Sequence, residues 1–248
     1  MTVPLVLIHG VGLDRHLWDS TVAALQPGRE VITYDLVGHG AGPHSPGPYT
    51  LATFIEQLAS LTVGYDRVDL CGFSLGALIA QAFTLAHPSM VRRLVLLGSV
   101  FQRTKAERQA ICERVAEVRA GGYSHTVDVA IDRWFSPSFT ADHPELVARV
   151  RATMEANDVR AYADAYAVFA VGDTELAQHV HRIAVPTLTI AGADDLRSTP
   201  VMSKALAATV INGRCEVIPG TRHCFMLEQP GAVAALIDGF LNDQRESA

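Results

Sequence analysis

A serine attacks a carbonyl only if one group takes its proton and others receive the charge that develops on the carbonyl oxygen. This 248-residue chain holds groups of each kind at widely separated points. Ser74 stands in Gly72-Phe73-Ser74-Leu75-Gly76, between the apolar run Val68-Asp69-Leu70-Cys71 and an alanine-rich helical stretch. In a strand-to-helix elbow the serine backbone is strained, and small flanking residues let strand and helix approach closely enough to leave the hydroxyl exposed. The matching imidazole is His223, in Gly220-Thr221-Arg222-His223 after Cys215-Glu216-Val217-Ile218. Between them, Gly192-Ala193-Asp194-Asp195 closes the run Thr187-Leu188-Thr189-Ile190-Ala191 with two adjacent carboxylates, either of which can hold and charge-stabilise an imidazole. Upstream, Leu5-Val6-Leu7-Ile8 enters His9-Gly10-Val11-Gly12. Its glycines allow the loop to fold over the elbow, so that the amides of Val11 and Leu75 donate to an oxyanion.

The elements that must carry these groups follow from the hydrophobic pattern. Apolar runs of strand length occupy 4–8, 30–35, 67–72, 92–97, 186–191 and 214–218, and several lead into helix-like stretches at His16–Leu25, Leu51–Thr62, Leu75–Ala86, Pro200–Ala208 and Ala232–Leu241. Such alternation predicts a mostly parallel sheet with helices on both faces. About six strands are expected, because the chain enters its first run within four residues. The order serine, acid, histidine at successive strand ends is the order of the α/β-hydrolase fold. Between Leu97 and Pro186 the pattern changes to charged helical segments, Lys105–Arg119, Tyr123–Phe135, Glu145–Asn157 and Val159–Val171. This predicts a helical lid over residues 101–183 on a core made of 1–100 and 184–248.

On these motifs the chain is similar to α/β-hydrolases from end to end, and within them it most resembles the 3-oxoadipate enol-lactonase group. The resemblance is carried by His9-Gly10-Val11-Gly12 with Trp18, by Tyr34-Asp35-Leu36-Val37-Gly38-His39-Gly40, by Gly47-Pro48-Tyr49-Thr50-Leu51, by the elbow, by Arg133-Trp134-Phe135-Ser136-Pro137 and by His223 with Glu228-Gln229-Pro230. It implies that the acid stands three residues after the glycine, which selects Asp195 and leaves Asp194 as a loop carboxylate. It also implies that His9 supports the oxyanion loop. The resembling enzymes often carry Arg before Gly-His-Gly where this chain has Val37. The activity implied is opening of a small carboxylate-bearing lactone or ester through an acyl-serine. The rivals are hydrolysis of a carbon–carbon bond in a vinylogous diketone, general carboxylesterase activity, and a hydrolase-fold protein that binds a ligand without catalysis.

Two residues of the lid segment admit two readings each. Arg133 either orients a substrate carboxylate by bidentate hydrogen bonding or lies on the solvent face, and Trp134 either lines the pocket or staples the lid helices together. Asp35 and His39 fit turn chemistry better than catalysis. His179 and His181 form a His-x-His pair on a polar connection, where solvation is the commoner state than metal binding.

Composition narrows the partners. A net charge of −6, with 20 basic residues in no dense run, excludes a nucleic-acid or anionic-membrane surface and favours a small-molecule substrate; it leaves a homo-oligomer open. The 49% hydrophobic content is ample for a full core. Residues 1–8 lack the basic start and long apolar stretch of a signal peptide, and no run approaches the ~18 apolar residues of a membrane span, which points to the cytoplasm. Cys71, Cys112, Cys215 and Cys224 have no paired metal spacing and read as thiols. The chemistry needs no metal or organic cofactor.

Overall fold

The computed structural model describes residues 3–243; positions 1–2 and 244–248, the ends of the expected core, lie outside them. Six strands form one sheet: β1 (Leu5–Ile8), β2 (Val31–Tyr34), β3 (Val68–Phe73), β4 (Val91–Leu97), β5 (Thr187–Gly192) and β6 (Gly213–Ile218). They pair in parallel in the order β2-β1-β3-β4-β5-β6. β1, β3 and β5 are buried along their whole length, as expected where helices cover both faces of a parallel sheet. The edge strand β6 instead exposes Arg214 and Glu216 in alternation.

The strand order reverses between β1 and β3, so the loops leaving these two neighbours diverge and open a crevice at their carboxyl ends. β1 feeds His9-Gly10-Val11-Gly12 and β3 feeds Ser74, which puts the glycine loop and the serine side by side at that crevice. The helix α1 (Asp19–Ala24) crosses from β1 to β2. The helices α3 (Leu75–Ala86) and α9 (Pro200–Thr209) cross the sheet in the other direction, from β3 to β4 and from β5 to β6. Right-handed crossovers running in opposite directions place α1 and α3 on opposite faces. α1 packs against α11 (Pro230–Leu241), and α3 packs against α2 (Leu51–Leu61).

The segment between β4 and β5 holds α4 (Lys105–Arg119), α5 (Tyr123–Trp134), α6 (Pro137–Asp142), α7 (Pro144–Glu155) and α8 (Val159–Ala177). A further short helix, α10 (Phe225–Glu228), follows His223. The pattern predicts neither α6 nor α10, each only four to six residues long. α6 is started by Ser136, whose hydroxyl accepts from the Phe139 amide, and by Pro137 at the first helical position. α8 runs six residues past the expected end at Val171. The Gly172-Asp173 pair that looks like a stop is taken up by tertiary contacts: Gly172 packs on Leu78, and Asp173 bonds the Arg103 guanidinium at 2.5 Å.

Two buried histidines lock the loops behind the crevice. The His9 Nε2 atom accepts the Leu36 amide at 2.9 Å, which leaves Nδ1 to donate to the Gly10 carbonyl at 2.8 Å. This joins the glycine loop to the loop after β2, the supporting role the resemblance implies. His39 sits edge-on to His9, with ring centroids 5.4 Å apart, and meets the Val37 carbonyl through Nδ1 at 3.1 Å. Asp35 accepts the amides of Arg15 at 2.7 Å and Ala41 at 2.9 Å, a turn-anchoring role. Burial drives the His9 pKa down to about 3, helped by repulsion from His39 and opposed by the Gly10 bond and Asp35. Burial likewise takes His39 to about 4, against the Val37 bond and Asp35.

Close approach of backbones sets the rest. A Cβ on Gly72 would collide with the Gly76 carbonyl, and one on Gly76 would lie 2.7 Å from the His9 carbonyl oxygen and nearer still to that of Ile8. Gly76→Ala must therefore push α3 off the sheet, an overpacking cost of about 3 kcal/mol. In thermal unfolding this appears as a Tm fall of roughly 6–12 °C for a domain of this size; an unchanged Tm contradicts the packing described. A second expectation concerns acid. Both histidines have folded pKa values below the ~6.5 of an unfolded chain, so the unfolded state takes up protons first. Their contribution is complete above about pH 6.5 and is lost as pH falls towards 4 and 3, at up to ~1.4 kcal/mol per pH unit each. Urea titrations between pH 6.5 and 4.5 should show stability dropping, and His39→Asn should flatten that slope by about half the two-histidine contribution.

Candidate active site

Ser74 follows β3 directly and caps the start of α3 with φ 55° and ψ −111°, a left-handed backbone that a non-glycine residue holds only where its surroundings enforce it. Its own amide donates to the Leu97 carbonyl at 2.9 Å, and Gly10 packs on its Cβ from the other side. The next residue, Leu75, is the first of α3. Its side chain is buried, and its amide belongs to the helical turn whose N–H groups have no intrahelical acceptor. Val11 lines the same pocket as Ser74.

His223 reaches this point from the opposite half of the sheet. Its Nδ1 lies 2.6 Å from Asp195 Oδ2. A carboxylate only accepts, so Nδ1 carries the proton and the Nε2 lone pair is left for another group. Asp195 is buried, and its other oxygen accepts the amides of Arg197 at 2.9 Å and Ser198 at 3.0 Å. Burial pushes this carboxyl up, but the His223 charge and hydrogen bond, with the two amides, outweigh it and hold it below the usual carboxylate range. Asp194 is exposed, and its amide donates to the Thr221 carbonyl at 2.9 Å. The acid loop and the histidine loop meet backbone to backbone, because a Cβ on Gly192 would strike the Thr221 and Arg222 carbonyls. Gly98 leaves room in the same way for the His223 ring. Phe73 packs on that ring with centroids 4.7 Å apart.

The helical segment closes the pocket from above. Trp134 stands 6.1 Å from the His223 ring, and its carbonyl accepts the Cys224 amide at 2.9 Å, so it both lines the pocket and ties α5 to the histidine loop. Arg133 is half-buried and also lines the pocket, and its Nε donates to the Val129 carbonyl at 2.9 Å. Burial lowers its pKa, with Arg114 and Arg197 acting in the same direction. Glu228 accepts from the Arg222 amide at 2.9 Å and from the Ser136 hydroxyl at 2.5 Å, a second tie between the two layers. His179 and His181 are exposed and lie outside the pocket, and among the described residues no group of His, Cys, Asp and Glu is arranged to hold a metal ion.

Three further arginines line the pocket, Arg103, Arg114 and Arg197. Sequence reasoning passed over all three. For Arg114 a signal was present: it falls on α4 in register with the buried Ile111, Val115 and Val118, where an interior cation is unusual. Arg103 pairs with Asp173, a residue 70 positions away, and no local pattern marks it.

Comparison with known proteins agrees with this architecture. Residues 5–236 match the model of the alpha/beta hydrolase family. The chain is 31% identical to (E)-2-((N-methylformamido)methylene)succinate hydrolase of Acinetobacter baylyi, over 96% of this chain and 90% of that protein. It is 27% identical to 3-oxoadipate enol-lactonase 2 of the same organism, over 92% of this chain and 84% of that protein. The crystal structure of the enol-lactonase from Burkholderia xenovorans superposes with a TM-score of 0.90 at 26% identity, covering 98% of this chain and 92% of that one. A six-stranded parallel sheet, a strained serine at the end of β3 and a family match over nearly the whole chain lead to one conclusion: this protein belongs to the alpha/beta hydrolase family and is a hydrolase.

Proposed function

We propose that the protein opens a small carboxylate-bearing lactone or ester, in the manner of a 3-oxoadipate enol-lactonase, through an acyl-serine on Ser74. The observation that carries this reading is the charge of the pocket. Ser74 and His223 share it with four guanidinium groups, of which, among the described residues, only Arg103 is paired, with Asp173, against Asp195, which is committed to His223, and Glu107, which is committed to capping α4. A site so cationic selects an anion. Two relatives support the class through their names, one a succinate derivative and one a 3-oxoadipate lactone. Residues 101–183 serve in this reading as the cap, and the four unpaired cysteines fit a reducing, cytoplasmic setting.

His223 Nε2 takes the proton of Ser74 as Oγ bonds to the carbonyl carbon, and the carbonyl π electrons move to oxygen. The amides of Val11 and Leu75 receive that oxyanion, at the positive end of α3. Collapse breaks the carbon–oxygen bond to the leaving group, which takes the proton from His223. For an enol-lactone the leaving group is an enol that becomes a ketone and draws the reaction forward. Water, deprotonated by His223, then attacks the acyl-serine and releases the acid and Ser74. Asp195 holds the imidazole in the Nδ1–H form and stabilises its charged state throughout. Arg133 orients the carboxylate, and Trp134 walls the site beside His223.

The test is a comparison of a carboxylate-bearing enol-lactone with its neutral methyl ester, together with ring-cleavage diketones. The carboxylate form should give the higher kcat/KM, and Ser74→Ala should lower kcat on it by roughly 10³-fold or more with an unchanged circular dichroism spectrum. Equal rates on acid and methyl ester contradict the substrate class, and preferred turnover of the diketones favours carbon–carbon hydrolysis. Asp195→Asn should cost roughly 10³–10⁴-fold in kcat, since an amide cannot stabilise imidazolium. Asp194→Asn should leave kcat/KM unchanged, and the reverse ranking would reassign the acid.

A further inference from the structure

Arg114 and Arg133 come from different helices, α4 and α5, yet both line the pocket that holds the Tyr166 phenol. Arg114 Nε donates to the Tyr166 Oη on α8 at 3.1 Å, and Arg133, whose Nε is spent on the Val129 carbonyl, lines the same pocket. All three residues line the pocket of Ser74 and His223. Their charges are not balanced as those of Arg103 and Arg29 are. Arg103 has Asp173 at 2.5 Å, and Arg29 has Asp69 at 2.9 Å, whereas among the described residues no carboxylate lies within ion-pair distance of Arg114 or Arg133. Two neighbouring guanidiniums with no anion repel each other in a partly desolvated place, a cost that an anion between them removes.

Tyr166 adds the second observation. It is 6% exposed, held by Tyr162 at 5.5 Å and Phe169 at 6.2 Å between ring centroids. Its oxygen is occupied as acceptor by Arg114, and its own proton has no acceptor among the described residues. A hydroxyl that lines the pocket with its proton unspent is a donor available to a ligand.

We propose that Arg114 and Tyr166 are specificity residues that, with Arg133, form one three-donor site for a single carboxylate of the substrate. The proposal rests on the anionic-substrate reading above and deepens it by naming the groups that read the charge. The two guanidiniums supply charge-assisted donors, and the phenol supplies a neutral donor whose direction is set by its ring packing. Arg103 is excluded from the clamp by its bond to Asp173.

A double-mutant cycle on two activated esters of nearly equal shape tests this: mono-(4-nitrophenyl) glutarate, an anion, and 4-nitrophenyl valerate, which is neutral. Arg114→Met and Arg133→Met should each lower kcat/KM on the anion by roughly ten- to a hundred-fold, the worth of a hydrogen bond to a charged group, and leave the neutral ester within about threefold. Tyr166→Phe should cost about three- to tenfold on the anion only. The Arg114/Arg133 double variant should lose clearly less than the product of the single losses, because both arms serve one carboxylate. Equal losses on both esters would make Arg114 a structural residue, multiplicative losses would place the two arginines on separate groups, and no loss for Arg114→Met would remove it from the site. Any of these overturns the proposal. Glutarate binding to the Ser74→Ala protein, followed by calorimetry, keeps the clamp separate from the chemistry. It should be lost in Arg114→Met even if Ser74 proves not to be the nucleophile, and binding that survives that change also overturns the clamp.

Discussion

Everything at this site depends on how closely three backbones approach one another around Ser74. Gly72 at the end of β3 faces the carbonyl of Gly76 in the first turn of α3, and Gly76 in turn faces the carbonyls of Ile8 and His9 at the end of β1. No side chain fits into either contact. The chain therefore turns within one residue, and that residue takes the left-handed backbone at φ 55°, a strain of roughly 1–3 kcal/mol held by the Leu97 carbonyl and by Gly10. With the hydroxyl fixed at the tip of the turn, the β1 loop has nowhere to go but across it.

The same device recurs at the other strand ends. Gly98 after β4 makes room for the His223 ring, and Gly192 at the end of β5 lets the acid loop lie against the Thr221 and Arg222 carbonyls. Because these are main-chain contacts, the 2.6 Å bond from His223 to Asp195 inherits the rigidity of the sheet rather than that of a flexible loop. Preorganisation of this kind is what makes fixed dipoles effective against charge that appears only in the transition state.

The helical segment is bound to this platform at its two working loops. On the histidine side, Glu228 bridges Arg222 and Ser136, and the Trp134 carbonyl takes the Cys224 amide. On the glycine-loop side, Asn157 donates to the Gly12 carbonyl at 2.9 Å, and Tyr162 packs where a Gly12 side chain would be. The helices are thus joined directly to the loops that hold His223 and Val11. Cations concentrated on the inner face of these helices give the pocket its polarity, while the charge of the whole chain is −6. Local field, not net charge, is what a group inside the pocket meets.

Much of this was legible in the residues themselves. The glycines at 72 and 76 announced close approach and those at 10 and 12 a folded-over loop, the order serine, acid, histidine announced the fold, and the six apolar runs became six parallel strands within a residue or two. Local physics writes these signals, since steric demand and period belong to short stretches of chain. What the sequence left open were choices between neighbours and partners far apart along the chain. Asp194 and Asp195 are chemically identical and adjacent; the resemblance singled out Asp195, and it is the fold that turns that carboxylate towards His223 and Asp194 into water. α8 continues through Gly172-Asp173 because Leu78 and Arg103 meet them there. Arg114, Arg133 and Tyr166 lie on three helices and become one cationic wall only when those helices pack. By itself the sequence determined the fold and the kind of chemistry. The tertiary structure decided which charges face the reacting atoms, because an electrostatic field sums over distances in space, and a linear sequence does not contain them.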